Sequence, residues 1–203
     1  MKLSVPRTFN RAMSVTPPID LKRPSIQKFS KDQVQTFKCR VDATNLNSNL
    51  YDIAVPYFSD GTPEEWIYFQ RHLNRAYAGQ GDTNGGQRYA KIRMLLQGEA
   101  LAAFESQVTA TDNHTETLDT LDRAIQAVSA CVFPDRAAQI QKRYLRRFLR
   151  KPVEMSTKKY VARIVKVNNF FDYFPHDPST KKSPKKLDDN KLVDILEFGC
   201  PPK

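Results

Sequence analysis

The sequence predicts an all-α fold: two small helical lobes, the second incomplete, preceded by a disordered basic arm and a short extended or hairpin segment. Three observations carry that expectation. From Thr62 onward, apolar residues recur at steps of three and four, the period of one helix face. Prolines, glycines and capping residues cut that stretch into helix-sized pieces. Alternation with period two, the mark of a strand, is confined to residues 34–58.

Residues 1–33 read as the arm. They carry Pro6, Pro17, Pro18 and Pro24, little hydrophobic periodicity, and basic residues (Lys2, Arg7, Arg11, Lys22, Arg23, Lys28) against Asp20. Such a segment buries too little apolar surface to offset its ordering entropy. Residues 34–58 are the extended or hairpin lead-in. Val34–Val41 and Tyr51–Val55 alternate, the polar stretch Asn45–Asn49 turns between them, and Pro56 ends the second run.

The first lobe is expected over 59–131. Thr62-Pro63-Glu64-Glu65 is a helix start, with Thr62 as cap, Pro63 in the first turn and Glu65 completing a capping box. Trp66, Phe69, Leu73 and Tyr77 form the inner stripe. The glycine-rich segment 79–86 is a loop. Tyr89, Ile92, Leu95 and Leu96 mark a second helix that Gly98 breaks, and Ala100–Phe104 a short third. Thr115 opens a fourth, carried by Leu118, Leu121, Ile125 and Val128.

Phe133-Pro134 is the expected boundary, because the residue before a proline is pushed away from helix. The second lobe, 133–203, begins with a helix carrying Ile140, Tyr144 and Phe148 inside, stopped by Pro152. Ser156 or Thr157 opens the next, with Tyr160, Ile164, Val167, Phe171 and Phe174 on one face. After a Lys- and Pro-rich loop, Leu187–Phe198 is the last helix, with Asp188 and Asp189 at its positive end. The expected core is Trp66, Phe69, Leu73, Leu96, Phe104, Tyr144, Phe148, Tyr160, Ile164 and Phe171.

Across 203 residues, Lys and Arg number 32 against 22 Asp and Glu, a net charge of +10. That excess favours polyanionic partners, nucleic acid first. Cys39, Cys131 and Cys200 are too far apart for a zinc site and suggest free thiols in a reducing compartment, with Cys131 in the core. The N-terminus lacks a continuous apolar stretch for a secretory signal, and no run is long enough to span a membrane. A cytoplasmic or nuclear protein is expected, with no membrane partner.

No catalytic constellation stands out. The sequence has no phosphate-binding glycine loop, no GxSxG and no HExxH. His72, His114 and His176 are isolated, and the acidic pairs Glu64-Glu65 and Asp188-Asp189 fall at helix starts, where capping accounts for them. No enzyme activity, cofactor, metal or small-molecule substrate is expected. The sharpest charged feature is 141–151, with Lys142, Arg143, Arg146, Arg147, Arg150 and Lys151 and no acid. On a helix, Lys142, Arg143, Arg146, Arg147 and Arg150 cover an arc of about 140°. That face suits RNA phosphates or an acidic patch on another subunit. The plainer alternative is a solvated face balanced by acids of neighbouring helices.

Several runs, taken together, look familiar. Tyr57–Phe69 (YFSDGTPEEWIYF) resembles the opening of the Gag capsid region of gypsy-type LTR retrotransposons: an aromatic, a short turn and a helix bearing Trp and Phe. Leu95–Phe104 (LLQGEALAAF) is similar to the block where one helix of that family ends and a short one begins. Gln141–Pro152, Met155–Ile164, Asn168–Phe171 and Lys191–Gly199 resemble the start of the second capsid lobe. The resemblance covers about residues 50–203 and lies in the order and spacing of the runs. It implies two helical lobes, self-association into particles and non-specific packaging of the element's RNA. A monomeric RNA-binding protein or a host-adapted Gag-derived adaptor is the alternative. The family's frequent zinc knuckle is missing from these residues, and further helices usually follow, so the second lobe is expected to be a fragment or a degenerate copy.

Overall fold

The computed structural model describes residues 17–20, 33–109, 117–177, 179–180 and 182–200. These form a mostly helical protein with one two-stranded hairpin. Strands β1 (Val34–Arg40) and β2 (Leu50–Pro56) are antiparallel, with Phe37 opposite Ile53. Phe37, Cys39, Ile53 and Val55 are buried on one face of the hairpin, which packs on helix α1 (Pro63–Gln80). Gly79 makes that approach possible. A Cβ there would lie 2.5 Å from Cys39 Cβ and 2.9 Å from the Tyr51 hydroxyl oxygen.

The start of α1 follows from local chemistry. The Thr62 hydroxyl accepts from the Glu65 amide, and the Glu65 carboxylate accepts from the Thr62 amide at 2.8 Å. Gly81, at φ 69°, closes the helix in the left-handed region that favours glycine. Helices α2 (Gly85–Leu95) and α3 (Gly98–Thr109) follow, and α4 (Leu118–Val132) packs on both. Phe58 ties the lead-in to the α2–α3 junction: its amide donates to the Leu95 carbonyl at 2.9 Å and its carbonyl accepts from Gln97 at 2.8 Å. The cap of α4 is Thr117, two residues beyond the expected opening at Thr115, which lies outside the described residues. The third helix is longer than expected because Gly98, at φ 53°, opens it instead of separating it from the second.

Beyond Phe133-Pro134 come α5 (Ala137–Arg147), α6 (Thr157–Asn169), a 3-10 turn (Phe170–Tyr173) and α7 (Asp189–Gly199). Ser156 and Asp188 cap α6 and α7, each accepting the amide three residues on. The expected boundary does not divide two cores. One continuous buried cluster runs from Ile19 through Trp66, Phe104 and Phe133 to Ile195. Phe133 stacks on Phe174 at 4.7 Å, and Tyr68 on α1 meets Phe170 edge-on at 6.4 Å. The His176 amide reaches back to the Gln126 side chain at 2.8 Å. Pro134 does end a helix, but the aromatic residue before it packs inward and joins the halves.

Trp66, Phe69, Leu73, Leu96, Phe104, Tyr144, Tyr160, Ile164 and Phe171 are buried, as expected of the core. Three expectations need correction. Phe148 is half exposed, because the helix stops at Arg147 and the periodic extrapolation fails one residue later. Cys131 is exposed, while Cys39 is buried. The inner face of α4 runs through Leu121, Ala124, Val128 and Ser129, and Cys131 lies about 200° round from Ser129. Third, the arm expected to be disordered over 1–33 is placed at Pro17–Asp20, with Ile19 fully buried. The rest of it, 1–16 and 21–32, lies outside the described residues.

Candidate nucleic-acid or subunit interface

Helix α5 starts from a turn, with Arg136 in the left-handed region at φ 56° and no side-chain cap. Its buried face is Ala137, Gln141, Tyr144 and Leu145, followed by Leu149 just past the helix end. The Leu149 carbonyl accepts from the Tyr160 hydroxyl at 3.1 Å, which fixes the exit of the chain from α5 against α6.

The six cations singled out in the sequence do not form one surface. Arg143, Arg146 and Arg147 are exposed on α5, and none forms an ion pair among the described residues. Acids of neighbouring helices therefore do not neutralise this face. Lys142 is half buried, with its ammonium 5.5 Å from the centroid of the Phe171 ring. Burial, reinforced by Arg146 and Lys191, holds its pKa below the usual lysine value. Arg150 and Lys151 lie off the helix. The Arg150 guanidinium covers the Phe198 ring of α7 at 3.5 Å and donates to the Leu149 carbonyl at 3.2 Å. The Lys151 ammonium donates to the Met155 carbonyl at 2.8 Å, and its amide to the Gly199 carbonyl at 3.0 Å. These two hold the 148–155 turn against the end of α7.

Alongside lie apolar side chains that water disfavours: Phe148 on the turn, Val153 at 96% exposure, and Phe198 at 55%. Between Ile140 and Lys166 the chain carries ten Lys and Arg against one acid, Glu154. Lys158 and Lys159, exposed at the start of α6, belong to that excess and were not singled out by helical-run reasoning. The combination can hold polyanions by charge and protein by apolar contact.

Sequence reasoning also missed a polar cluster where α1, α5 and α6 meet. Gln141 is fully buried, and Arg163 pairs with Asp20 at 2.7 Å. Its sequence signal was faint: an apolar residue and an acid, Ile19-Asp20, inside a basic proline-rich stretch. Among the described residues no group of three or more His, Cys, Asp and Glu is arranged to hold a metal ion. No helix among them is long and apolar enough to cross a membrane. No protein-family model, curated protein or solved structure matches the chain.

Proposed function

We propose that this chain is a structural Gag-like capsid protein that self-associates into particles packaging RNA without sequence preference. The observation that carries the reading is the surface at the end of α5: Arg143, Arg146 and Arg147, unneutralised among the described residues, beside the exposed Phe148, Val153 and Phe198. Charge gives long-range attraction to phosphates or to an acidic neighbour. Exposed aromatic and aliphatic groups add the apolar area that a protein–protein contact buries. The aromatic side chains are mostly core, so no base-reading device accompanies the cations. The helical order of the Gag-like resemblance agrees with this reading, with its two halves sharing one core here.

The test is the Arg143→Gln, Arg146→Gln, Arg147→Gln triple variant. Its affinity for a single-stranded RNA homopolymer is titrated at three salt concentrations, and light scattering is measured without RNA. Each lost phosphate contact removes about 0.7 from the log–log salt slope, so a phosphate partner predicts a slope shallower by about two. An unchanged slope with loss of particle formation assigns the arginines to the subunit contact, which the neighbouring apolar groups favour. A parent chain that binds RNA but stays monomeric at every concentration overturns assembly and leaves the monomeric RNA-binding or host-adapted adaptor reading.

A further inference from the structure

The corner between α1, α5 and α6 is occupied by Pro17–Asp20 of the chain itself. Gln141 grips the Ile19 backbone in both directions: the Ile19 amide donates to Oε1 at 3.0 Å, and Nε2 donates to the Ile19 carbonyl at 3.0 Å. The Ile19 side chain is fully buried. Asp20 is read at three points. Its amide donates to Glu64 Oε1 at 2.7 Å, its carboxylate accepts from the Tyr144 hydroxyl at 2.6 Å, and Arg163 Nη2 donates to the same carboxylate at 2.7 Å and to the Asp20 carbonyl. This is the recognition chemistry of a short peptide: an apolar side chain, a backbone pair, and a carboxylate one residue later.

We infer that this corner is a receptor for the Pro17–Asp20 segment of a second copy of the chain, exchanged between neighbours as the protein self-associates. The inference rests on the assembly proposed above. None of the contacts just named involves the connection to β1, so a segment arriving from a neighbour remakes all of them. Exchange of identical elements is a low-cost route to association for that reason. Twelve residues, 21–32, separate Asp20 from Gln33, a tether that can reach at most about 40 Å. Arg163 Nε is buried without a hydrogen-bond partner among the described residues. Only Nη2 serves Asp20 in the closed chain, whereas a guanidinium fork can take both oxygens of a carboxylate. A segment not bound to return to Gln33 of the same chain can shift its carboxylate onto both nitrogens and satisfy the buried donor.

Complementation between two full-length variants tests the exchange. One carries Gln141→Leu with Arg163→Gln, which spoils the receptor and keeps the segment. The other carries Ile19→Ala with Asp20→Ala, which spoils the segment and keeps the receptor. Circular dichroism confirms that each folds, and Arg163→Lys replaces Arg163→Gln if the first does not. In sedimentation, the mixture is expected to form one-to-one heterodimers at a concentration about tenfold lower than either variant needs to self-associate. The complex should stop at two chains, because neither holds both working halves. A mixture that stays monomeric overturns the exchange, as does self-association of either variant alone at the parent's concentration. The parent run alongside separates the two ideas. Parent particles with no heterodimer sink the exchange and spare assembly; heterodimers with a parent that forms no particles sink particle assembly and spare the receptor.

Discussion

Trp66 lies flat against Phe69 at 5.2 Å, tilted on Phe58 at 5.0 Å, and donates its indole N–H to the Ser129 hydroxyl at 2.9 Å. Ser129 in turn donates to the Ile125 carbonyl, so the buried polar pair is satisfied. Trp66→Ala removes the central ring and is expected to cost about 3–5 kcal/mol, lowering the melting temperature by about 10 °C; a thermal melt checks it. Tyr77 carries a pH signature. Burial pushes its phenol above the ordinary value of 10.0, and its hydroxyl donates to the Arg88 carbonyl at 2.8 Å. Above pH 10 the unfolded chain loses this proton and the folded chain keeps it. The unfolded state then binds fewer protons, so stability falls as pH rises, by about 1.4 kcal/mol per pH unit for one such group. Tyr77→Phe is expected to flatten the loss by that amount in urea melts at pH 9, 10 and 11.

At the scale of elements, docking depends on two close approaches at glycine. Gly79 admits the hairpin onto α1, and Gly199 at the end of α7 meets Tyr160, where a Cβ would lie 1.9 Å from the hydroxyl oxygen. Gly79→Ala drives a methyl into Cys39 and Tyr51, so the hairpin must lift. Overpacking of this kind costs about 1–3 kcal/mol, more than the helix-propensity gain of Ala over Gly returns. A drop in urea midpoint with the slope unchanged is the expected result, and a midpoint equal to the parent's would show that the hairpin is not seated on α1. A second device recurs twice. Gln141 binds both backbone groups of Ile19, and Asn168 does the same for Leu187, at 3.0 and 2.9 Å. Each buried amide fixes a non-helical segment against a helix without leaving a polar group unpaired.

Over the whole molecule, the continuous core predicts one unfolding transition. Trp66, the sole tryptophan, reports from the first half, while circular dichroism at 222 nm averages about all seven helices equally well. The two melts are expected to coincide, and a helical signal that persists after the fluorescence change would mean that the halves unfold separately. The Pro17–Asp20 segment bridges those halves, touching Glu64 on α1 and Gln141, Tyr144 and Arg163 on α5 and α6. Coincidence should therefore weaken in the Ile19→Ala, Asp20→Ala variant.

The sequence alone determined where most helices start, because caps act over three or four residues. Thr62, Ser156 and Asp188 accept amides of their own first turns, whatever lies elsewhere in the chain. It determined most of the core for the same reason, since period sets the inward face while a helix lasts. Where the helix ends, that logic ends: Phe148 follows Arg147 by one residue and faces water, and the last cations of the expected arc turn to hold α7. Tertiary structure alone decided which side of α4 faces inward at Cys131, because Trp66 places its partner Ser129 there. It alone decided that Phe133 joins the halves, and that Ile19 finds Gln141 across 122 positions of sequence. Such contacts depend on which surfaces meet after the helices have formed, and no local period encodes a meeting that distant.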